Sequence, residues 1–237
     1  MPQAEYPGSH ATFRLVPASD HSVLVTFGDT ISADHHARAL RLFGFLRSRA
    51  PSFVRDLHPA YSSLLVCFDP TLAAHREVEE LVAEGARSGA DLEQEPGREV
   101  TIPVCYDSEL APDLDSVAAH SGLARDEVVR IHTEAHYQVY FIGFSPGFPY
   151  LGGLPPSLAT PRLATPRTRV PAGSVAIGGN QAGIYPLESP GGWRIIGRTP
   201  LRLFIATRNP PSLLQTGDAV RFVRVDRAEF DKQREQV

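Results

Sequence analysis

Between residues 143 and 200 the chain carries ten prolines and eleven glycines, so more than a third of these 58 positions disfavour an α-helix. Proline removes a backbone donor from a helix, and glycine costs about 1 kcal/mol there relative to alanine. The apolar segments that remain are short, and strands are predicted at residues 138–144, 174–178, 183–187, 193–198, 202–206 and 218–225. Short strands separated by turn residues about every ten positions predict a closed or nearly closed β-barrel.

The first hundred residues instead alternate between strand and helix periodicity. Helices are predicted at residues 32–49, with Ser32 as the N-cap, and from Asp69 to about residue 87. Strands are predicted at residues 22–28, 53–58, 62–68 and 98–105, with 12–16 as a candidate edge strand. The order β-α-β-β-α-β is typical of a ferredoxin-like α+β domain.

We therefore expect an α+β protein with two domains. A ferredoxin-like domain is predicted at residues 1–97 and a β-barrel domain at residues 98–237. The barrel domain also contains three segments with helical periodicity, at residues 113–120, 125–135 and 227–236.

The composition is that of an ordinary globular protein, with 237 residues, 42% apolar and 21% charged. No apolar run approaches the roughly 18 residues of a membrane span and no secretory signal is recognisable, so we expect a cytoplasmic protein that is not bound to a membrane. The formal net charge of −4 speaks against nucleic acid as a partner. Cys67 and Cys105 lie far apart on strand-like segments, and we expect buried thiols rather than metal ligands.

Positive charge is concentrated in one part of the chain. Residues 143–217 contain a single acidic residue, Glu188, and seven arginines, a local balance of +6. The arginines are Arg162, Arg167, Arg169, Arg194, Arg198, Arg202 and Arg208. Lys232 is the only lysine, so nearly every strong cation is a guanidinium, whose planar donors suit carboxylate or phosphate.

Two motif matches fail on chemical grounds. Residues 143–147 match G-x-S-x-G, but Ser145 is followed by Pro146, which has no backbone N–H to donate to an oxyanion. His132 and His136 have a spacing that could hold a metal from one helix face, but no third ligand is evident. We therefore expect neither a serine hydrolase nor a metal site, and His132 could serve as an acid/base, a hydrogen-bonding group or a packing residue.

The sequence has no P-loop, because no lysine follows a glycine-rich loop. A bound nucleotide would then depend on arginines and backbone N–H groups. The glycines at residues 178–183 and 189–193 would permit such an approach of the backbone to an anion, and plain turn formation is the open alternative.

A series of spaced motifs carries a family resemblance. Residues 141–151 (FIGFSPGFPYL), 170–175 (VPAGSV), 181–186 (QAGIYP), 189–193 (SPGGW) and 196–200 (IGRTP) follow one another in that order. With these motifs the sequence closely resembles the family of 5-oxoprolinase B subunits, which is also known as allophanate hydrolase subunit 1 and includes the kinase inhibitor KipI. The resemblance extends over essentially the whole chain.

The resemblance implies a cyclophilin-like barrel behind the ferredoxin-like domain. It also implies partners, namely a homologous second subunit (the C subunit of 5-oxoprolinase, or allophanate hydrolase subunit 2) and a third subunit, with which this chain would open 5-oxo-L-proline to L-glutamate. ATP, with magnesium, would drive the opening of this small-molecule amide, and the chain would be inactive alone. The alternative is a KipI-like inhibitor of a sensor histidine kinase with no turnover of its own.

Two further activities are disfavoured. Peptidyl-prolyl isomerase activity would rest on fold analogy only. Allophanate cleavage ordinarily needs a Ser-Ser-Lys arrangement, and the only lysine here, Lys232, lies in a predicted terminal helix.

The resemblance also implies the site residues. The positions matching the family's motifs are His132, Tyr137, Arg162, Arg167, Gln181, Tyr185, Trp193 and Arg198. Of these, His132, Gln181 and Arg198 are predicted to be catalytic and the others to bind substrate or nucleotide. Ala182 departs from the family pattern, in which a threonine is common. We expect the arginines to converge on one concavity, where they would stabilise phosphoryl charge, while Gln181 or His132 orients the amide and Trp193 or Tyr185 supplies an apolar wall.

Overall fold

The computed structural model describes residues 13–88 and 97–235, and the chain divides into two compact units, residues 1–95 and 96–237. The elements of the first unit are β1 (Arg14–Ser19), β2 (Ser22–Thr26), α1 (Ala33–Arg49), β3 (Val54–Pro59), β4 (Ser63–Phe68) and α2 (His75–Ser88). Among the helices of the described residues, none has the length and apolar character to cross a membrane.

The N-terminal unit is a four-stranded antiparallel sheet in the order β1-β2-β4-β3, against which α1 and α2 pack. Alternate residues of its two central strands, such as Val23, Val25 and Leu64, are completely buried. They pack in one core with Leu42 of α1 and Val78 of α2. The period of two along the strands therefore directs one face of the sheet to the helices.

Most of the predicted elements of this unit are confirmed. The candidate edge strand exists as β1, and α1 begins as predicted, with the Ser32 hydroxyl accepting a hydrogen bond from the His35 N–H at 3.1 Å. The predicted start of α2 near Asp69 is wrong. The Asp69 carboxylate accepts hydrogen bonds from both the N–H and the hydroxyl of Thr71, which form a local turn, and α2 begins only at His75.

The predicted β-α-β-β-α-β order counts the strand at residues 98–105 with the N-terminal strands, and this part of the prediction is wrong, whereas the predicted domain boundary places the same strand in the barrel domain. This strand, β5 (Glu99–Cys105), belongs to the second unit, where it pairs in parallel with β13 (Ala219–Val225) and antiparallel with β12 (Arg194–Arg198). Its alternation predicts a half-buried strand, which it is, but carries no information about the partner. The ferredoxin-like arrangement of the first unit remains a prediction.

The second unit is a closed barrel, as predicted, with the strand order β10-β7-β6-β13-β5-β12-β9. Its other elements are α3 (Leu114–Ser121), α4 (Arg125–Glu134), β6 (Tyr137–Ile142), β7 (Pro149–Gly152), β8 (Arg167–Val170), β9 (Ser174–Gly178), β10 (Gln181–Ile184), β11 (Ser189–Gly191) and α5 (Arg227–Glu235). The interior is filled by alternate side chains of the strands, including Ile102, Val139, Leu151, Ile177 and Phe222.

Three strands of this unit were not predicted. They are β7, which pairs with β6 and β10, and the pair β8 and β11, which form a separate two-stranded sheet that we call the flap. Conversely, the strand predicted at residues 202–206 is wrong, because this segment forms only an isolated bridge between Phe204 and Ser212. The flap strands are short and rich in arginine, proline and glycine, so their sequences carry little strand periodicity.

Candidate functional site

A second apolar core lies on the outer face of the barrel wall. Along β9 and β10, Ile177 and Ala182 belong to the barrel interior, whereas the glycines that alternate with them face outward and contact aromatic rings. Four aromatic side chains, which we call the aromatic cluster, cover this outer face: Phe148, Tyr150, Tyr185 and Trp193. Phe148 is at their centre, with its ring centroid 5.2 Å from that of Tyr185 and 5.7 Å from that of Trp193, both edge to face.

Glycines of the strands make room for these rings. A Cβ atom at Gly178 would collide with the Trp193 ring, and one at Gly191 would collide with the Tyr185 hydroxyl. A Cβ atom at Gly183 would come within 2.9 Å of the Phe148 ring. The glycines at these three positions therefore accommodate aromatic side chains, whereas a Cβ atom at Gly179 would meet no atom within 4 Å.

Arg162 stands over this cluster. Its guanidinium carbon lies 5.4 Å from the centroid of the Trp193 ring, within the range of a cation–π contact. Burial raises the pKa values of Tyr150 and Tyr185, and the charge of Arg162 partly opposes the rise at both hydroxyls. Arg162 itself is exposed, so its donors face solvent above an apolar wall.

Gln181 joins the same face. It lies directly opposite Gly178 in the antiparallel pair of β9 and β10, and opposite residues of such a pair project to the same side of a sheet. Its side chain therefore shares the side of the barrel wall on which Trp193 rests, and the residue is 8% exposed. Four of the predicted site residues are thus brought together: Arg162, Gln181, Tyr185 and Trp193.

Arg167 lies at the border of this group and is held by Asp113. The two Nη atoms of Arg167 donate to the two carboxylate oxygens of Asp113 at 2.9 and 2.8 Å, and the Ile195 N–H donates to the same carboxylate at 2.7 Å. Asp113 is the N-cap residue of α3, but its side chain makes no capping hydrogen bond. This carboxylate ties the flap strand β8 to β12, a role that a motif search does not reveal.

We expect Asp113→Asn to lower the free energy of unfolding of the barrel unit by about 3 kcal/mol. This value is the low end for breaking a buried ion pair, because the Asp113 side chain is 8% exposed but that of Arg167 is 31% exposed. Chemical denaturation followed by Trp193 fluorescence measures the change. The control is Glu188→Gln, which removes the more exposed pair with Arg169 and should cost less than about 1 kcal/mol. Equal losses in the two variants would contradict the assignment.

His132 and Tyr137 form a separate group in the interior of the unit. The His132 ring is stacked 4.5 Å from Phe222, its Nδ1 is 2.8 Å from the Tyr106 hydroxyl, and the Tyr137 hydroxyl donates to its carbonyl oxygen at 3.2 Å. His132 is 0% exposed, and burial lowers its pKa to about 3. It is therefore neutral at physiological pH and is enclosed in the core where α4 packs against β13.

Arg198 also lies apart from the cluster. It ends β12, whereas Trp193 immediately precedes that strand, and five extended residues span about 16 Å. Its Nε donates to the Ala172 carbonyl at 2.8 Å. The three arginines predicted to share one concavity are therefore divided, with Arg162 and Arg167 beside Tyr185 and Arg198 at the other end of β12.

The loop at residues 143–148 places one further aromatic side chain at the edge of the cluster. Phe144 adopts a left-handed conformation with φ of 62°, which is uncommon for a residue other than glycine, and its side chain is 63% exposed. Its ring still contacts Phe148 and Tyr185, at centroid distances of 5.4 and 6.3 Å. An exposed aromatic ring held in a strained turn is typical of a binding surface. The sequence signal for it lies inside the G-x-S-x-G match, which is followed here by strand β7 rather than by a helix.

The described residues were compared with the requirements of a metal site. In residues 13–88 and 97–235 no three histidine, cysteine, aspartate or glutamate side chains lie close enough together to hold a metal ion. Both nitrogens of the buried His132 ring are enclosed in the core, away from His136.

Comparison with known proteins shows which families this chain resembles. A family model described as "Carboxyltransferase domain, subdomain C and D" matches residues 13–214. The chain is 38% identical to the 5-oxoprolinase B subunit of Bacillus subtilis (strain 168), over 94% of this chain and 98% of that protein. It is 52% identical to the 5-oxoprolinase B subunit of Escherichia coli O157:H7, over 53% of this chain and 58% of that protein.

A solved structure shows the same fold. The crystal structure of TTHA0988 superposes with a TM-score of 0.76 at 38% identity, over 86% of this chain. The match spans only 40% of the TTHA0988 chain, which therefore carries more polypeptide than the region it shares with this protein. Because the family model and the Bacillus subtilis protein both match most of this chain, the chain belongs to the family of 5-oxoprolinase B subunits.

Proposed function

We propose that this chain is a subunit of an ATP-dependent hydrolase that opens 5-oxo-L-proline to L-glutamate. The observation that carries the proposal is the 38% identity to a protein named as the B subunit of 5-oxoprolinase, over nearly the full length of both chains. We further propose that the chain works in a complex with a homologous second subunit and a third subunit and is inactive alone. The names of the Bacillus subtilis and Escherichia coli relatives do not favour the kinase-inhibitor alternative.

The chemistry of the outer barrel face supports a ligand of this class. 5-Oxoproline is a small ring with one carboxylate and one lactam group. Arg162 offers exposed guanidinium donors above the rings of Trp193 and Tyr185, so a carboxylate bound there would lie over an apolar wall. Gln181, on the same face, carries an amide that can donate to a lactam oxygen and accept from a lactam N–H. We propose that Arg162 and Gln181 orient the substrate in this way.

The predicted roles of the other site residues are revised in this proposal. Arg167 keeps the flap in place through Asp113, and His132 and Tyr137 support the barrel from inside. These three side chains are positioning residues, because their contacts are with the protein itself. Arg198 lies outside the substrate face, at the far end of β12.

The proposal places the substrate, and not the phosphates of ATP, on this face. Of the glycines in the two loops that could have held phosphate, Gly178 and Gly191 lie against the rings of Trp193 and Tyr185, whereas a Cβ atom at Gly179 would meet no atom within 4 Å. We propose ATP with magnesium as a co-substrate of the assembled enzyme and assign no part of its chemistry to the aromatic cluster.

We expect Arg162→Gln to raise the KM for 5-oxo-L-proline by about 10- to 100-fold, with a smaller effect on kcat. A hydrogen-bonded charge on a substrate carboxylate is worth about 1.5–3 kcal/mol, and a group that binds substrate and transition state alike appears mainly in KM. The measurement is ATP-dependent glutamate formation by the chain co-expressed with its partner subunits.

The control for this experiment is Arg169→Gln. Arg169 lies on the flap and pairs with Glu188 at 2.7 Å, so its loss should leave both constants within about twofold. An unchanged KM in Arg162→Gln would remove Arg162 from substrate binding. A wild-type complex that forms no glutamate from 5-oxoproline would refute the proposed function itself.

A further inference from the structure

The loop between β6 and β7 holds Phe144 in a strained backbone conformation. The Ser145 N–H donates to the Gly143 carbonyl at 2.7 Å, which closes a three-residue turn with Phe144 at its centre and a φ of 62°. A three-residue turn with positive φ is rare and strained. The same loop buries the Ser145 hydroxyl oxygen, which has no hydrogen-bond partner within the part of the chain that the structure describes. Such unfavourable features persist only where the surrounding structure enforces them, and they concentrate at functional sites.

The residues that follow Phe144 enforce this conformation. The Phe148 N–H donates to the Ser145 carbonyl at 3.0 Å, across a turn whose two central residues are Pro146 and Gly147, the latter with a φ of 83°. A Cβ atom at Gly147 would lie 2.8 Å from the Cβ atom of Phe204, so this turn rests directly on the body of the barrel unit. The direction in which the Phe144 side chain projects is therefore set by a fixed backbone.

The ring of Phe144 stands at the border of the aromatic cluster. It meets the rings of Phe148 and Tyr185 edge to face, yet it is the most exposed large apolar side chain in residues 13–88 and 97–235. Phe148 contacts Trp193 in turn, and the guanidinium of Arg162 stands over that indole. Phe144 and Arg162 therefore border one continuous aromatic surface.

The two borders of this surface differ in their chemistry. Arg162 presents charged donors to solvent, whereas Phe144 presents an apolar ring. 5-Oxoproline has the same division, because its carboxylate and its lactam group are polar and its two ring methylene groups are apolar. Covering methylene groups with an exposed phenyl ring removes apolar surface from water on both sides of the contact, which is favourable.

We propose that Phe144 is a specificity-determining residue of the substrate face, which contacts the methylene groups of the lactam ring and thereby selects a five-membered ring. This inference rests on the proposed function, because it assigns a further contact to the same substrate. A ring held by a fixed turn cannot retreat from a larger substrate, so a six-membered lactam is disfavoured by contact with the phenyl group. The strain of the turn keeps the phenyl ring in this exposed position.

The test compares the wild-type complex with a complex that contains Phe144→Gly. Glycine adopts positive φ readily, so this variant removes the ring and keeps the turn. The KM for 5-oxo-L-proline is measured together with the inhibition constant of its six-membered homologue, 6-oxo-L-pipecolate, as a competitive inhibitor. We expect the KM to rise by about tenfold, since one methylene group in an apolar pocket is worth about 10- to 200-fold. The inhibition constant should stay the same or fall, so that the preference for the five-membered ring decreases.

The stability of the same variant separates this role from a structural one. Because glycine relieves the strain of the turn and the Phe144 ring is mostly exposed, the denaturation midpoint of Phe144→Gly should not fall below that of the wild type. Leu72→Ala is the control. Leu72 is similarly exposed, at 56%, but lies in the N-terminal unit, and its loss should leave both constants within about twofold.

The outcomes distinguish this inference from the proposed function. If the wild-type complex forms glutamate and Phe144→Gly leaves both constants unchanged, the inference is overturned and the proposed function stands. A denaturation midpoint well below that of the wild type would make Phe144 a packing residue, and failure of the variant to co-purify with the partner subunits would place it in a subunit interface; either result also overturns the inference. A wild-type complex that forms no glutamate refutes the proposed function, and this inference with it.

Discussion

Replacing Gly178 by alanine is expected to displace the ring of Trp193 and to lower the free energy of unfolding of the barrel unit by about 3 kcal/mol. The added Cβ atom would collide with the indole, and Gly178 is enclosed within a barrel strand, so neither group can move without disturbing the wall. Trp193 is the only tryptophan of the chain and is 5% exposed. Its fluorescence emission should therefore shift to longer wavelength as the ring becomes hydrated.

Gly192→Ala is the matched control for this prediction. Gly192 is next to Trp193 in sequence, but a Cβ atom there would meet Pro166 at an ordinary contact distance of 3.5 Å. The control should keep the wild-type emission and lose less than about 1 kcal/mol. If Gly178→Ala kept the wild-type emission and stability, the aromatic cluster would not depend on close contact between the ring and the strand. The proposed binding face would then lose its apolar wall.

The second large effect concerns the dependence of stability on pH. The pKa of His132 is lowered to about 3 in the folded protein by burial, whereas an unfolded chain binds a proton near pH 6.5. The unfolded state is therefore stabilised by protonation as the pH falls from about 6.5 towards 3. We expect the titration of His132 to leave the free energy of unfolding unchanged above pH 6.5. Between pH 6.5 and about 3 it should lower the free energy of unfolding by about 1.4 kcal/mol for each unit by which the pH falls.

The variant His132→Gln should reduce the slope of stability against pH in this window, whatever its effect on stability at neutral pH. Equilibrium denaturation at a series of pH values, followed by Trp193 fluorescence, gives the slope for the barrel unit. His120→Gln is the control, because His120 is an exposed histidine of the same unit. A slope in His132→Gln equal to that of the wild type would show that His132 is protonated without unfolding, and hence that it is more accessible than its burial indicates.

The distribution of glycine and proline determined that residues 143–200 would form short strands, and the barrel is confirmed. These residues act through local backbone preferences, which do not depend on the rest of the chain. The same holds for α1, whose start at Ser32 follows from a hydrogen bond to a residue three positions away. Asp69 shows the limit of such rules, since its side chain formed a turn with Thr71 instead of capping a helix.

The contacts of the site were decided by tertiary structure. Arg162, Arg167 and Arg198 are the same residue type in one arginine-rich segment, yet one stands over Trp193, one is bound by Asp113 and one donates to the Ala172 carbonyl at the far end of β12. These differences arise from pairing between strands that are distant in sequence. The residues next to each arginine in the sequence do not show which strands will pair.

By itself, the sequence determined the barrel, most of its strands and the set of motif residues, because backbone preference and apolar alternation act over a few positions. Tertiary structure alone decided that β5 pairs with β13, that His132 is enclosed in the core, and that Gln181 shares a face with Trp193. Each of these outcomes depends on which distant strands meet, and that choice is made by the packing of the whole unit.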